Sequence, residues 1–219
     1  VGYVAQAEQH SEVKALIVTG NGRAFCAGGQ LKDLTPNQEV LESIYSGFLS
    51  IANCTLPTIA AINGPAVGAG FNMAVGCDVR IVTEQARFEP RFFGLGLHPG
   101  GGNTWMLRQL ATWNTAAGML LFSQSLSGRE AVEKGLAWKC VEADNLVEEA
   151  FAFTANIRDL PKELLMRTKQ TLKLAGGTNS HKEMLQVETA EQMWSISQPY
   201  ARDSIAAMIE KISTAERGS

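Results

Sequence analysis

Metal-binding and disulfide patterns are missing from this sequence. Its three histidines are too few for a histidine-rich metal site. Cys26, Cys54, Cys77 and Cys140 are scattered without a Cys-x-x-Cys pair, which points to free thiols in a reducing compartment rather than a zinc site or disulfide framework. A strong charge of either sign is missing too: the formal net charge of −3 gives no general attraction for nucleic acid or an anionic membrane surface. Nor is there a membrane-spanning run. Residues 43–77 carry no formal charge, yet Asn53, Pro57, Asn63, Pro65 and several glycines interrupt every window of spanning length, so a buried core is expected instead. No secretory leader, internal repeat or low-complexity linker is visible. The chain opens at Val1 without a methionine, inside the helix-like segment YVAQAEQH. A preceding piece is therefore expected, and any targeting signal would lie in it. The cytoplasm is the expected compartment, with an organelle left open on that account.

What is present suits a large α/β domain. With 45% hydrophobic and 19% charged residues, 219 residues can bury a substantial core. ALIVTG (15–20), PTIAAING (57–64) and VRIVTEQARF (79–88) read as strands: short apolar runs bounded by turn residues. A small-residue helix fits Ala69–Gly76 between the last two. Apolar strands alternating with helices predict a covered, largely parallel sheet. From about residue 104 the pattern turns helical. Ser127 and Glu130 form a capping box and Gly135 stands at a C-terminal cap position. LAWKCV (136–141) reads as a further strand, Asp144 as the cap of a helix to about Arg158, and Pro161 as the start of a helix ending near Gly176. Ile205, Met208, Ile209 and Ile212 keep amphipathic-helix spacing. The expected division is an α/β core over 1–145 and a C-terminal helical region over 146–219.

Two glycine-rich turns follow strands. GNGRAFCAGGQL (20–31) follows ALIVTG, and GPAVGAGFNMAVGCD (64–78) follows TIAAI. Bare backbone there admits a ligand close to main-chain N–H groups. A dinucleotide pyrophosphate needs G-x-G-x-x-G, but here Gly68 and Gly70 are followed by Met73. Two turns instead suit a carbonyl oxygen that becomes an oxyanion, which needs two donors. Close packing of helix on strand is the plainer alternative.

ALIVTGNGRAFCAGGQLKDL, LPTIAAINGPAVGAGFNMAVGCDVRIVTEQARF, and GLGLHPGGG followed by LFSQSLSGREAVEKGLAWKCV resemble, in order and spacing, the signatures of the crotonase superfamily, the enoyl-CoA hydratase/isomerase group. The resemblance covers nearly the whole chain. It implies a spiral of ββα units with a C-terminal helical region that serves oligomerisation, packed into trimers or paired trimers. It implies an acyl-CoA thioester as ligand, with CoA part of the substrate and no separate cofactor or metal. The thioester oxygen would lie between the N–H groups of Gly29 and Ala69. Ala27, Gln30 and Leu31 would lie beside the acyl-CoA, and Val67 and Gly68 beside the thioester.

The sequence departs from that pattern at its proton carriers. The hydratases' two glutamate positions fall on Asn72 and Phe92, neither of which exchanges a proton. Losing a positioned acid or base typically costs roughly 10²–10⁴-fold, so ordinary hydration is not expected. Candidate substitutes are Glu89, on the loop of Phe92, and His98, before the PGGG turn. Asn72 could orient a water or carbonyl, and Arg91 could meet an anionic substrate group. Lys162, Lys169, Lys173 and Arg167 could meet CoA phosphates or form a solvated face. An acyl-CoA enzyme working through an enolate is the first expectation. The alternatives are a non-catalytic acyl-CoA binding protein and a decarboxylase or C–C hydrolase of a β-dicarbonyl CoA ester.

Overall fold

The computed structural model describes residues 1–29, 37–178 and 180–217. It divides into two compact units, Val1–Arg158 and Asp159–Ser219. In the first, α1 (Gly2–Gln9), β1 (Leu16–Thr19), α2 (Gln38–Ala52), β2 (Thr58–Ile62), β3 (Pro65–Val67) and α3 (Ala69–Gly76) are followed by β4 (Val79–Thr83) and β5 (Arg87–Glu89). Then come α4 (Asn103–Leu110), α5 (Trp113–Leu121), β6 (Leu126–Ser127), α6 (Gly128–Glu133), β7 (Lys139–Val141) and α7 (Leu146–Phe153).

One sheet has the order β1-β2-β4-β7 and is parallel throughout, with Leu16 opposite Thr58, Ile59 opposite Val79 and Ile81 opposite Lys139. The expected α/β architecture is thus realised. Every residue of β2 is buried, which is why its sequence is a continuous TIAAI rather than an alternation: helices cover both faces. Ile59, Ala61 and Ile81 face Leu146 and Ala150 of α7. Ala60, Ile62 and Val82 join the larger core, with Phe71, Val75, Leu107 and Met119. Thr58 and Asp78 staple the starts of β2 and β4. The Asp78 Oδ2 accepts from the Thr58 N–H (2.7 Å) and hydroxyl (2.9 Å), while that hydroxyl accepts from the Asp78 N–H (2.9 Å).

A second, smaller sheet pairs β3 parallel to β5 and β5 antiparallel to β6. Here the structure differs from the single strand read over 79–88. The chain turns after Thr83, with the Ala86 N–H on the Thr83 carbonyl (3.1 Å), and carries β5 into the other sheet. LAWKCV contributes strand only at Lys139–Val141. The capping box at Ser127 and Glu130 is formed, and Gly135 follows α6 at φ +72°.

The helix expected from Asp144 to Arg158 is broken. Ala143–Asn145 and Ala155–Ile157 are 3₁₀ turns flanking α7, and Asp144 makes no cap. Because α7 buries Leu146 and Ala150 against the sheet, it belongs with the core. The division therefore falls after Arg158, not after residue 145.

The second unit holds α8 (Lys162–Ala175), α9 (His181–Ser197) and α10 (Pro199–Arg217). Arg167 bonds the carboxylates of Glu163 (3.0 Å) and Glu191 (2.9 Å) and lies 4.1 Å from the Trp194 ring centroid. Of the four cations that could meet CoA phosphates or form a solvated face, Arg167 is thus engaged within the unit. Ile205, Met208, Ile209 and Ile212 lie on α10 as their spacing predicts, all of them exposed. Among the described residues no helix is long and apolar enough to cross a membrane.

Candidate active site

Two turns meet at the C-terminal ends of β1 and β3. The first, around Phe25–Gly29, is zipped to β3. The Cys26 N–H donates to the Pro65 carbonyl (3.1 Å), and the Cys26 carbonyl accepts from the Val67 N–H (2.9 Å). Cys26 thereby forms a parallel bridge with Ala66. The second turn is pinned from its other side, because the Gly68 N–H donates to the Glu89 carbonyl (2.9 Å). Gly68, with φ +51° and ψ −108°, then swings the chain into α3, a conformation that a Cβ would strain.

The turns approach each other without side chains between them. A Cβ on Gly70 would stand 2.3 Å from the Cys26 carbonyl oxygen and 2.7 Å from its Cβ. Phe25 and Ala66 anchor the two turns in the core.

This arrangement leaves main-chain donors unused. Among the described residues neither the Gly29 nor the Ala69 N–H has a partner. Gly29 is exposed and Ala69 half-buried, so both can be reached from solvent. Ala69 opens α3, whose first bond runs from the Asn72 N–H to the Gly68 carbonyl (3.0 Å), so its N–H carries the positive end of the helix dipole. Such donors suit an oxygen bearing negative charge. Val67 is buried, Gly68 half-buried and Ala27 exposed along the same turns. Gln30 and Leu31, the other expected contacts, lie outside the described residues.

Asn72, which could orient a water or carbonyl, is bonded to the protein itself. It is 3% exposed, and both ends of its amide serve the turn before α4. Its Nδ2 donates to the Gly100 carbonyl (2.9 Å), and its Oδ1 accepts from the Asn103 Nδ2 (2.6 Å). A carbonyl can only accept, so Gly100 fixes which way the Asn72 amide faces, and Asn72 in turn fixes Asn103. The Asn103 Oδ1 is left buried without a partner. Tyr45 and Phe48 of α2 close the same turn: a Cβ on Gly100 would stand 2.5 Å from the Tyr45 hydroxyl, and one on Gly101 2.4 Å from the Phe48 ring. Neither aromatic was identified from sequence, because helical spacing marks them only as core-facing.

Phe92 is half-buried and opens the 3₁₀ turn Phe93–Leu95, its carbonyl accepting from the Leu95 and Leu97 N–H groups (3.0 Å each). Glu89 and Arg91 are brought together, but with each other: Arg91 Nη2 lies 2.5 Å from Glu89 Oε2. Arg91, which could meet an anionic substrate group, is thus paired here with Glu89. Glu89 ends β5 opposite Val67, beside the second turn. His98 is exposed and its Nδ1 lies 2.7 Å from the Pro99 carbonyl, which can only accept, so Nδ1 is the donor of that contact. Among the described residues no cluster of His, Cys, Asp and Glu could hold a metal ion.

The class is that of a parallel α/β core with two glycine-rich turns at its strand ends, whose Gly29 and Ala69 N–H groups are unpaired among the described residues. Residues 3–215 match the enoyl-CoA hydratase/isomerase family, the crotonase superfamily, and the chain belongs to it. A probable enoyl-CoA hydratase of Mycobacterium tuberculosis is 38% identical over 214 residues, 93% of this chain and 83% of the relative. A 1,2-epoxyphenylacetyl-CoA isomerase of Escherichia coli is 31% identical over 215 residues, 94% of this chain and 82% of the relative. Among solved structures, an enoyl-CoA hydratase of Bacillus anthracis superposes with a TM-score of 0.89 at 27% identity, covering 96% of this chain and 83% of the other. A relative from Thermobifida fusca, solved in complex with CoA, gives a TM-score of 0.79 at 27% identity over 89% of this chain and 81% of the other.

Proposed function

We propose that this protein acts on an acyl-CoA thioester whose carbonyl oxygen is held by the Gly29 and Ala69 N–H groups and is stabilised there as an enolate. The observation that carries the reading is the pair of zipped, glycine-rich turns whose Gly29 and Ala69 N–H groups have no partner among the described residues. The family membership supports the substrate class, and the Thermobifida fusca relative was solved with CoA. Each such donor typically contributes about 3 kcal/mol to the transition state. The geometry also supports a reaction other than ordinary hydration. Asn72 is spent on the Gly100 turn, and Phe92 moves no proton. Glu89, beside the second turn, is a carboxylate this reading can enlist. Assembly into trimers or paired trimers, in the cytoplasm, is part of the same proposal.

The test is turnover of a panel of acyl-CoA thioesters that includes crotonyl-CoA and malonyl-type esters. Slow crotonyl-CoA hydration with turnover of another thioester is expected. Rapid crotonyl-CoA hydration refutes the reading of Asn72 and Phe92. The absence of proton carriers at both positions favours a second reading, a non-catalytic acyl-CoA clamp. Tight calorimetric binding with no turnover across the panel selects the clamp. Turnover lost in Glu89→Gln selects the enzyme, and CO₂ release from malonyl-type esters selects decarboxylation.

A further inference from the structure

Arg80, the second residue of β4, is 6% exposed. Among the described residues its guanidinium reaches main-chain carbonyls and no carboxylate. Nε donates to Leu136 (2.5 Å), Nη1 to Cys77 (2.6 Å) and Ala74 (3.4 Å), and Nη2 to Asp78 (3.2 Å). The Asp78 carboxylate is turned to Thr58 instead. Burial lowers the proton affinity of Arg80, against the opposing fields of Cys77 and Asp78, but a guanidinium stays charged. A buried cation is costly unless it is paired or hydrogen-bonded, and here carbonyls alone supply the bonds.

Its position is the C-terminal end of α3. Ala74 lies in the last turn of that helix and Cys77 is its C-cap, so Arg80 occupies carbonyls that would otherwise be its negative pole. We infer that Arg80 is a positioning residue for the Ala69 N–H: it anchors the far end of α3 to the Leu136 segment and leaves the positive N-terminal end of the helix unopposed. This rests on the proposed oxyanion role of Ala69. Eight residues of helix separate the ends. At 1.5 Å per residue that is about 12 Å, where a unit charge in an effective dielectric near 20 alters the rate of forming an anion by about tenfold.

The test uses the whole chain with Arg80→Met and Arg80→Lys, reading the infrared carbonyl stretch of bound butyryl-CoA labelled with ¹³C at its carbonyl. It also reads kcat and KM on the best thioester of the panel. Wild type is expected to lower the stretch relative to free butyryl-CoA. Arg80→Met should lose much of that shift and about tenfold in kcat, with KM within threefold, and Arg80→Lys, which keeps the charge, should recover most of both. A folded Arg80→Met with full shift and kcat overturns the inference, as does an Arg80→Lys no better than Arg80→Met. If neither variant folds, Arg80 serves the fold alone and the inference also fails. Absence of a shift in wild type refutes the oxyanion reading itself and this inference with it.

Discussion

Replacing Gly70 by alanine separates two effects that pull in opposite directions. On helix propensity alone, alanine in α3 adds about 1 kcal/mol of stability. The added Cβ, however, meets the Cys26 oxygen at 2.3 Å, its Cβ at 2.7 Å and its carbonyl carbon at 3.0 Å. Cys26 cannot yield by changing rotamer, because its backbone is tied at 3.1 Å to Pro65 and at 2.9 Å to Val67. The turns must part by roughly 1 Å before van der Waals contact is ordinary, and overpacking of this kind costs about 1–3 kcal/mol. Net destabilisation is thus about 0–2 kcal/mol, or a few degrees of melting temperature for a chain of this size. A displacement of about 1 Å at a reacting centre costs about 10²-fold. The turns carry Gly29 and Ala69, so kcat should fall about 10²-fold while the protein remains folded at assay temperature. The assay is kcat and KM on the best thioester of the panel beside a thermal melt. Gly47→Ala is the control. A Cβ there meets nothing within 4 Å in the middle of α2, so it should raise the melting temperature and leave kcat unchanged. Gly70→Ala with activity within threefold of wild type would refute the reasoning.

Thr58→Val removes a hydroxyl that both donates to and accepts from Asp78 at a site 1% exposed. Chemical denaturation should show a loss of about 1–3 kcal/mol, and no change would mean that the staple contributes nothing. In the capping box, hydrogen bonds from the Ser127 side chain and then its backbone hold the Glu130 carboxyl below its ordinary value of 4.5. A carboxylate lowered in the folded state stabilises above its unfolded pKa, and that contribution is lost as pH falls through the lowered value. Ser127→Ala should therefore reduce the melting temperature at pH 7 and flatten its decline below about pH 4.5. An NMR titration of Glu130 unmoved by the substitution would contradict this. Asn72→Glu restores one hydratase carboxylate but cannot donate to Gly100. It should cost about 2–4 kcal/mol and yield no crotonyl-CoA hydration while Phe92 remains.

The fold was legible where local rules and burial agree. TIAAI and ALIVTG are strands because a covered parallel sheet wants continuous apolar runs, and the Ser127 cap satisfies donors within its own turn. It was illegible where long-range pairing decides. VRIVTEQARF has uniform strand character, and nothing local marks Thr83 as the place where the chain leaves one sheet for the other. Likewise the helix after Asp144 is interrupted at Thr154, although no proline or glycine stands there to announce it. The domain boundary moved for the same reason: α7 has an apolar face like any amphipathic helix, and only the sheet's Ile59, Ala61 and Ile81 show which partner it chose.

In the candidate site the backbone was more legible than the side chains. Glycine and alanine in two turns after strands already imply that something must approach closely, and at Gly70 the approach is by Cys26. A side chain's role depends on what faces it, which spacing cannot supply. Asparagine at position 72 is compatible with holding water, substrate or protein, and the Gly100 carbonyl and Asn103 amide select the last. The amide keeps a second N–H and a second lone pair, but Asn72 is 3% exposed, so they are buried with the turn that its other bonds hold. On the proposed reading, asparagine at position 72 is therefore more than an absent proton carrier, because its amide is part of the wall. If ordinary hydration is absent as proposed, recovering it should require rebuilding the Gly100–Asn103 turn as well as placing carboxylates at positions 72 and 92. An Asn72→Glu, Phe92→Glu double variant that hydrates crotonyl-CoA without a change at Asn103 would show that this coupling between wall and chemistry is weaker than the hydrogen bonds imply.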